Sequence, residues 1–504
     1  MTIKPKILAV VSILVLLPCL LQAQTVTSFE GLDADQISAP GYEIDANGAV
    51  GTLQYMEWVN TYYQAYSKTS PYTTVWSDPQ AGDTPWEDAG MSNCYGTGGG
   101  EGTITFDRMA SVWVIARRAS QATNSYYYCV AVSNTDDLTS ATLKWYTYQF
   151  EITANLGINS HGDVYYPDWP RFGTWADAYY VTFDLEDPDN EYQEIGVVAC
   201  ALDRTNMIIG GTARAQQCFS NPSPIPTNGA LYLEHSLIPA DIDNTTAPPS
   251  GRHEYLVSIQ NPTANGKATT STKLNLWNFH VNWTTPTKST FGKSQLTVTS
   301  YEPGCYDVTN PADTFCVTEP SSGTTGNYVD SIGDRLMPRM PYHNFGTYES
   351  FLVSHTVQVG TGTNQQTGIR WYEVRGTGTG NPTLYQSGTV TNGNSLYRFV
   401  PSIAQDSAAN AAVGYSVSSS AVHPGIRAAY WSLPGKTTPT EITLQNGTGD
   451  EENSSHWGNV TSMTVDPTNG CTFWYENEYF QQDQTGTEVN WNTRISYFTL
   501  STCN

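Results

Sequence analysis

The stretch Thr105-Phe-Asp-Arg-Met-Ala-Ser-Val-Trp-Val-Ile-Ala116 contains two short apolar runs on either side of a turn that begins with Asp107. β-Branched and aromatic residues favour strands, and an Asp side chain can accept hydrogen bonds from the amides of its own turn. The same pattern returns at residues 404–413 and 465–473, and in a poorer copy at 202–204. The pattern predicts a repeated pair of strands in which the Asp residues form turns.

Strand-like runs recur from about residue 50 to the end, and convincing amphipathic helices are nearly absent. The 504 residues include 42 Gly and 28 Pro, so turns must be frequent. Hairpins that repeat without a helical layer need a way to protect their sheet edges, and a radial stack of blades does this. The sequence therefore predicts an all-β fold, a single β-propeller of about seven four-stranded blades. Two consecutive β-sandwiches would also fit the length, although no linker divides the chain.

The first residues have the pattern of a signal peptide, with Lys4 and Lys6 before an apolar run and Ala23 as a small residue at the cleavage point. The predicted organisation is a signal peptide at 1–23, an N-terminal strap at 24–48 and the propeller at 49–504. Long loops around one face are predicted near 216–230, 244–252, 305–333 and 433–455. The pattern indicates a secreted or periplasmic protein.

Eight cysteines follow the signal segment, an even number that favours disulfides in an oxidising compartment. Eight cysteines allow 105 pairings, and the sequence does not choose among all of them. The short gaps from Cys200 to Cys218 and from Cys305 to Cys316 suggest local bridges. Cys471 with Cys503 would tie the last strand to its own blade. A metal site is the alternative, but no C-x-x-C pair is present.

The charge excludes one class of partner and the hydropathy another. Lys and Arg number 23 against 47 Asp and Glu, a net charge of -24 that repels nucleic acid. No stretch after the signal segment is apolar enough to suggest a membrane span. We therefore expect a monomeric extracellular protein that binds neither nucleic acid nor a membrane.

Several segments carry a resemblance to a known family. They include 105–113, 128–133, 166–180, 237–243, 334–339, 368–373 and 414–420, and the last is 456–467 leading into 471–474. In these segments the chain resembles a family of secreted, largely uncharacterised bacterial proteins that are expected to form a propeller of about seven blades. The resemblance covers nearly the whole mature chain and implies the fold, but it implies no activity.

The chain departs from the family pattern in its final blade. The family usually reads Arg-Trp-Gly-Asp-Tyr-Ser there, whereas this sequence has His456, Trp457, Gly458, Asn459, Val460 and Thr461. A basic residue and a carboxylate are thus replaced. The resemblance therefore assigns no ion-binding or catalytic role to these positions.

No recognisable catalytic set is present in the sequence. It lacks a G-x-S-x-G elbow and an H-E-x-x-H helix, so the catalytic residues stay unassigned. Paired acids for glycoside cleavage would have to come from residues such as Asp168, Asp177, Glu373, Glu476 and Glu478. No cofactor is expected. Calcium is the one metal that Asp243 and the acids of 184–189 would suit, although no D-x-[DN]-x-[DN]-G loop is present.

The arginines suggest a ligand-binding site, because a propeller brings residues of separate blades to one face. Several guanidinium groups together would bind a carboxylate, sulfate or phosphate. The predicted ligand-binding residues are Arg335, Arg339, His343, His355, Arg370, Trp371, Arg427, Trp457 and Arg494. The alternative is that each arginine pairs with one of the many acids within or between blades.

The aromatic residues allow two interpretations. Trp169, Trp175, Tyr179, Trp371, Trp457, Trp474 and Trp491 would either stack on sugar rings or fill the space between blades, and we expect most of them in the core. The leading hypothesis is a propeller that binds a glycan, in particular a polysaccharide or acidic glycan, or another extracellular ligand at its loop-bearing face. The alternatives are a glycoside hydrolase or polysaccharide lyase in the channel mouth, and a protein-binding cell-surface module.

Overall fold

A computed structural model of the protein describes most of the chain. The described residues are 25–38, 40–41, 44–96, 101–122, 124–190, 192–222, 236–259, 263–264, 267–268, 271–305, 315–360, 365–377, 380–452, 454, 457–485 and 489–503. The predicted signal peptide and His456 lie outside these residues.

After strand β1 (Thr27–Asp33), the described strands form seven groups that we call blades 1 to 7. Blade 1 contains β2 (Asn47–Val50), β3 (Gln54–Val59), β4 (Tyr62–Ser67) and β5 (Gln80–Ala81). Blade 2 contains β6 (Thr103–Asp107), β7 (Val112–Ala122), β8 (Ser125–Ser133) and β9 (Trp145–Glu151). Blade 3 contains β10 (Tyr166–Thr174), β11 (Tyr179–Asp187), β12 (Gln193–Leu202) and β13 (Gln217–Pro222). In each blade the consecutive strands pair antiparallel.

Blades 4 and 5 are longer because short hairpins are inserted in and between them. Blade 4 contains β14 (Ile238–Ile242), β15 (Glu254–Ile259), the small hairpin β16 (Thr263–Ala264) and β17 (Lys267–Ala268), β18 (Ser271–His280) and β19 (Thr290–Tyr301). The pair β20 (Phe315–Val317) and β21 (Val329–Asp330) precedes blade 5, which contains β22 (Met340–Asn344), β23 (Glu349–Val359), β24 (Gln366–Gly376) and β25 (Thr383–Val390).

Blades 6 and 7 complete the chain. They contain β26 (Tyr397–Gln405), β27 (Asn410–Ser419), β28 (Val422–Ser432) and β29 (Thr440–Gln445), and then β30 (Ser462–Val465), β31 (Thr472–Phe480) and β32 (Trp491–Thr499). The described helices are short: α1 (Thr84–Asp88), α2 (Thr153–Leu156), α3 (Arg204–Met207), α4 (Ser322–Thr325) and two 3-10 turns at Ala34–Gln36 and Pro286–Lys288. Strands β13 and β29 lie within stretches that the sequence predicted as loops.

The blades close into a ring around a central channel. The innermost strands of blades 1 to 7 are β2, β6, β10, β14, β22, β26 and β30, and each contacts the innermost strand of the next blade, with β30 back against β2. In one case the contact becomes a parallel ladder, between β14 and β22. The prediction of an all-β propeller of about seven four-stranded blades is therefore confirmed, and the two-sandwich alternative is wrong.

Successive strands are antiparallel, so the connections between blades lie at the end of the ring where the innermost strands begin. The connections between the second and third strands of each blade lie there too. We call this end the entry face. The long connections predicted from the sequence are divided between both faces, because some of them join the first strand of a blade to its second.

Strand β1 is the outermost strand of blade 7 and pairs antiparallel with β32, for example Glu30 with Arg494. The predicted strap at 24–48 thus contains a strand that closes the ring, and β2 begins at Asn47, before the predicted boundary at 49. Strand β1 therefore supplies the fourth strand of blade 7 and joins the two ends of the ring in one sheet.

A buried pair of acids lies at this closure, where Glu57 of β3 faces Glu476 of β31. Both side chains are fully buried. Glu476 accepts a hydrogen bond from Tyr55 Oη at 3.0 Å. Glu57 accepts hydrogen bonds from Leu32 N at 2.7 Å, from Thr493 Oγ1 at 2.9 Å and from Tyr66 Oη. Burial raises the pKa of both carboxyl groups, and Glu57 raises that of Glu476 further. At neutral pH the closure therefore contains bound protons.

The Asp-led turns have the predicted role. Asp107 Oδ1 accepts hydrogen bonds from the amides of Met109 and Ala110, both at 3.1 Å. Asp406 and Asp466 accept amides of their own turns in the same way. These turns join the first and second strands of blades 2, 6 and 7, so the repeated pattern marks the blades themselves.

Four disulfides cross-link the fold, namely Cys94–Cys129, Cys200–Cys218, Cys305–Cys316 and Cys471–Cys503. The three bridges that the sequence suggested are confirmed. Among the described residues, no helix has the length and apolar character required to cross a bilayer.

Candidate functional site

The mouth of the central channel is a cleft on the entry face with about 640 Å³ of space between atoms, part of it open to solvent. Its walls come from six blades: Asp45 and Asn47, Glu101–Thr105, Trp169–Phe172, Asp241, Pro338 and Arg339, and Val460–Ser462. Most of these residues lie at or just before the start of an innermost strand. The ring therefore brings together residues that are up to 417 positions apart in the sequence.

A bulge in β10 forms one wall of the cleft. The pairing of β10 with β11 shifts register between Asp168 and Arg171, and Trp169 has a φ of 53°. A left-handed conformation is uncommon for a bulky residue, and such residues are concentrated at functional sites. Pro170 lacks the amide hydrogen that a regular ladder needs, so the sequence itself favours a bulge at this position. The bulge places Trp169, Pro170 and Arg171 on the cleft wall.

Arg171 has hydrogen-bond donors without partners. The residue is 8% exposed, and Nη1 donates to Pro170 O at 2.9 Å. Among the described residues, no group accepts a hydrogen bond from Nε or Nη2. The guanidinium lies 4.0 Å from the centre of the Trp169 ring. Burial lowers the pKa of Arg171 to about 10, so the group is a cation at neutral pH.

Nε and Nη2 are the side-on pair with which an arginine binds a carboxylate through two parallel hydrogen bonds. Other arginines of this protein use that pair in this way. They are Arg204 on Asp107, Arg214 on Asp203, Arg252 on Glu349 and Arg398 on Glu441. Arg171 presents the same pair of donors at the cleft without a carboxylate on it.

Glu101 is the acid of the cleft. Its Oε2 accepts a hydrogen bond from Arg118 Nε at 3.3 Å, and its Oε1 accepts one from the amide of Trp169 at 3.3 Å. Burial and the nearby Asp168 raise the pKa of Glu101, although Arg118 opposes the change. Glu101 therefore holds its proton closer to neutral pH than an ordinary glutamic acid does.

An ionic cluster closes the floor of the cleft; we call Arg108, Asp241, Asp243 and Arg339 the channel clasp. Arg339 Nε binds Asp241 Oδ2 at 2.8 Å and its Nη2 binds Asp243 Oδ1 at 3.0 Å, while Arg108 reaches Asp243 at 3.0 Å. Arg339 also donates to Met463 O at 3.1 Å. The clasp connects blades 2, 4, 5 and 7 across the channel.

The charges within the channel clasp compensate each other. Burial would raise the pKa of Asp243, but Arg339 and Arg108 bring it below its ordinary value. Burial lowers the pKa of the adjacent His343 to about 4, so this imidazole is neutral. Asp243, predicted as a calcium ligand, is instead paired with two guanidinium groups.

Three of the predicted ligand-binding residues lie at or near the channel. Arg339 lines the cleft, and His343 is buried beside the clasp. Arg335 lies 4.7 Å from the centre of the Trp169 ring and binds Asp334 and Glu194. Each of the two arginines thus has its own carboxylates, as the alternative interpretation of the sequence expected.

The structure does not bring the other predicted ligand-binding residues to this cleft. His355, Arg370 and Trp371 lie within blade 5, where His355 contacts Tyr372 Oη, Arg370 contacts Thr389 and Trp371 packs on Trp431. Arg427 is in blade 6 and bonds Gln445 O and Asn446. Trp457 is 1% exposed in the core, and Arg494 pairs with Glu30 at the ring closure. These residues lie outside the innermost strands, which supply most of the cleft wall.

The aromatic candidates form the core, as the sequence analysis expected for most of them. All seven are buried, at 0 to 8% exposure. Trp169 lines the cleft, but the guanidinium groups of Arg171 and Arg335 lie over its ring. Of the five candidate acids, Asp168 lies beside the cleft, whereas Glu373 is held by Arg375 and both Glu476 and Glu478 are buried.

Sequence reasoning did not nominate Arg171, Glu101, Asp45 or Asp241. Arg171 stands within the segment 166–180 quoted for the family resemblance, but no strand was predicted at this position. Glu101 follows a glycine-rich stretch that carries no site motif. Only closure of the ring shows that these residues share one cleft.

Comparisons with known proteins give information about the fold alone. No family model matches the chain, and no curated protein sequence matches it. Solved structures with a similar fold include a subtype N10 neuraminidase-like protein of A/little yellow-shouldered bat/Guatemala/060/2010, with 8% identity, a TM-score of 0.35, and coverage of 76% of this chain and 93% of the other. For the alpha-L-arabinofuranosidase Arb93A of Fusarium graminearum the identity is 6%, the TM-score 0.36, and the coverage 93% and 97%.

A third similar structure is an alpha-L-arabinanase of Cellvibrio cellulosa, with 11% identity, a TM-score of 0.27, and coverage of 68% of this chain and 95% of the other. Identities and scores this low are no basis for a conclusion about activity. The function of this chain is therefore argued from its own cleft.

Proposed function

We propose that the protein is an extracellular lectin-like propeller that binds a glycan carrying a carboxylate or sulfate group at the mouth of its central channel. The observation that supports the proposal is the buried guanidinium of Arg171, a residue of the cleft wall whose Nε and Nη2 have no acceptor among the described residues. A buried donor without an acceptor is costly, so a ligand anion at this position would stabilise the site.

The acidic group of the ligand would bind Arg171 in the way that Asp107 binds Arg204. Side-on binding by Nε and Nη2 fits the two oxygens of a carboxylate or two of those of a sulfate. The protein as a whole carries a net charge of -24, which repels anions at long range. Binding therefore requires a local cation, and the cleft supplies one.

The remaining walls favour a ligand with many hydroxyl groups. The Thr461 and Ser462 hydroxyls donate to backbone carbonyls, so their oxygens remain as acceptors, and Glu101 with Asp45 adds carboxylic oxygens. The buried aromatic residues do not offer a stacking platform, so recognition would depend on hydrogen bonds. Four disulfides and the N-terminal pattern of a signal peptide are consistent with an extracellular ligand.

The test is a binding panel that compares acidic with neutral glycans. Polygalacturonate, alginate and a sulfated glycosaminoglycan would be measured against neutral glucans and against carboxyl-reduced polygalacturonate by calorimetry. We expect binding of at least one acidic glycan and at least tenfold weaker binding to its neutral counterpart. Equal binding of the charged and reduced polymers, or no binding at all, would contradict the proposal.

Arg171→Met and Arg171→Lys separate charge from geometry. Lysine keeps the positive charge but lacks the two parallel N–H donors of a guanidinium group. We therefore expect Arg171→Lys to retain part of the glycan affinity, and Arg171→Met to lower that affinity about tenfold or more. Arg427→Met is the matched control, because Arg427 donates to Gln445 O and Asn446 in blade 6, away from the cleft. Unchanged binding in Arg171→Met would exclude this residue as the anion site.

A second candidate function is glycan hydrolysis in the same cleft. It is favoured by Glu101, whose raised pKa suits a general acid, with Asp241 as a second carboxylate on the cleft wall. Release of reducing ends from a bound glycan, abolished in Glu101→Gln with binding preserved, would support hydrolysis. Binding of a glycan without release of reducing ends would support the binding function and contradict hydrolysis.

A further inference from the structure

The start of β28 and two loops meet on the entry face, away from the channel. His423 follows the turn between β27 and β28, Asp450 lies between β29 and β30, and Asp483 lies between β31 and β32. One nitrogen of His423 and one oxygen of each carboxylate lie within 4.8 Å of one another. His423 Nδ1 is 2.6 Å from Asp450 Oδ1. None of the three residues lines the cleft.

The surroundings fix the two carboxylates. The amide of Asp450 donates to Asp483 Oδ1 at 3.0 Å, and the amide of Ser321 donates to Asp450 Oδ2 at 2.7 Å. The side chain of Asp450 is 2% exposed, whereas that of His423 is 37% exposed and Asp483 is exposed. The group is therefore anchored on its inner side and open to solvent on its outer side.

A buried acid lies behind this group. Glu319 is completely buried, and its Oε1 accepts a hydrogen bond from the amide of Glu451, the residue after Asp450, at 3.0 Å. Its Oε2 has no hydrogen-bond partner among the described residues. Burial, together with the charges of Asp450 and Glu451, raises the pKa of Glu319 to about 9. A buried oxygen without a donor next to two more acids indicates a cation or a proton that the protein atoms do not supply.

We propose that His423, Asp450 and Asp483 bind a divalent transition-metal ion such as Zn²⁺. An imidazole nitrogen with two carboxylate oxygens is a donor set that Zn²⁺ accepts, whereas Ca²⁺ and Mg²⁺ prefer oxygen alone. The ion would take three protein ligands and complete its sphere with water on the open side. It would tie the β27–β28 turn of blade 6 to two loops of blade 7, the blade that closes the ring.

Metal binding is measured on the whole protein after treatment with EDTA and removal of the chelator. We expect one Zn²⁺ per chain by calorimetry, and a Tm rise of about 2–3 °C when free Zn²⁺ is a hundredfold above Kd. Ca²⁺ and Mg²⁺ at the same concentration should give no comparable shift. No Zn²⁺ binding, or preferential binding of Ca²⁺, would overturn the proposal.

Two variants assign the site. His423→Ala and Asp483→Asn each remove one exposed ligand, so the fold should be retained and Zn²⁺ affinity should fall at least tenfold. The matched control is His161→Ala, because His161 Nδ1 lies 3.1 Å from Asp189 on the surface and belongs to no group of three ligands among the described residues. Unchanged affinity in both site variants, or an equal loss in the control, would overturn the assignment.

Discussion

Two arginines of the channel mouth allow one prediction to be developed in detail, because they differ in their partners. Arg339 holds Asp241 and Asp243 and donates to Met463 O, whereas Arg171 has two donors without an acceptor among the described residues. Replacing each by Met removes the charge and keeps most of the side-chain volume. Arg339→Met leaves Asp241 without its cation and Asp243 with Arg108 alone, whereas Arg171→Met removes no hydrogen bond to a carboxylate.

The expected magnitudes follow from this difference. Breaking a buried ion pair from one side costs about 3–5 kcal/mol. For a chain of 504 residues, an unfolding entropy of about 2.1 cal/mol/K per residue amounts to about 1 kcal/mol/K. We therefore expect Arg339→Met to lower Tm by about 3–5 °C. Arg171→Met loses one hydrogen bond to Pro170 O and its contact with Trp169, but removes two unsatisfied donors, so Tm should change by about 1 °C or less.

The assay is thermal unfolding of both variants without ligand at pH 7, followed by circular dichroism. A double-mutant cycle with Asp241→Asn adds a second measurement, because Arg339→Met should cost less once the carboxylate is neutral. Equal Tm values for the two arginine variants, or additivity with Asp241→Asn, would refute the argument that the clasp stabilises the ring and that Arg171 is kept for a ligand.

Three further predictions concern the ring closure. In the folded chain the pKa of Glu57 and of Glu476 lies above the value near 4.5 that these groups have in the unfolded chain. The folded protein therefore holds protons that are released on unfolding. The free energy of unfolding should fall as pH rises from about 5 to 9. Opening the Cys471–Cys503 bridge, which closes a loop of 32 residues, should cost about 4 kcal/mol or about 4 °C in Tm. Arg494→Ala should cost less than about 1 kcal/mol, because its partner Glu30 is half exposed.

Each of these predictions has its own check. Melting curves between pH 5 and 9 should be flatter for Glu476→Gln than for the parent, and a parent more stable at pH 9 would contradict the assignment of protons to the closure. The double Ser variant of Cys471 and Cys503 is compared with the parent by chemical denaturation. A loss in Arg494→Ala as large as that of Arg339→Met would mean that exposure does not distinguish the two pairs.

The fold could be predicted from the sequence because its evidence is local. The Asp-led turns at Asp107, Asp406 and Asp466 each depend on hydrogen bonds among three to five neighbouring residues. The composition of a strand is likewise a property of neighbouring residues. The two disulfides suggested by short spacing, Cys200–Cys218 and Cys305–Cys316, also depend on local geometry. Repetition of such units is what identifies a ring of blades.

The site could not be predicted in the same way, because its residues meet only through ring closure and strand irregularity. Arg370 and Arg427 have the residue type expected of an anion site, but they lie outside the innermost strands. Arg171 reaches the cleft because a bulge interrupts β10, and Glu101 because it directly precedes β6. Some arginines are paired with a carboxylate of the same protein and others are not. This pairing depends on distances between blades, and the composition contains no information about those distances.

The pairing of β1 with β32 has a consequence for how the molecule is made. Glu30 and Arg494, which meet in this pair, are separated by 464 positions, so the edge strand of the seventh blade has no partner until nearly the whole polypeptide has been synthesised. The first strand must wait unpaired while six blades are assembled. Biogenesis of this protein should therefore end in a single late step, and a truncation of only the last strand should leave an open, protease-sensitive molecule rather than a slightly smaller one.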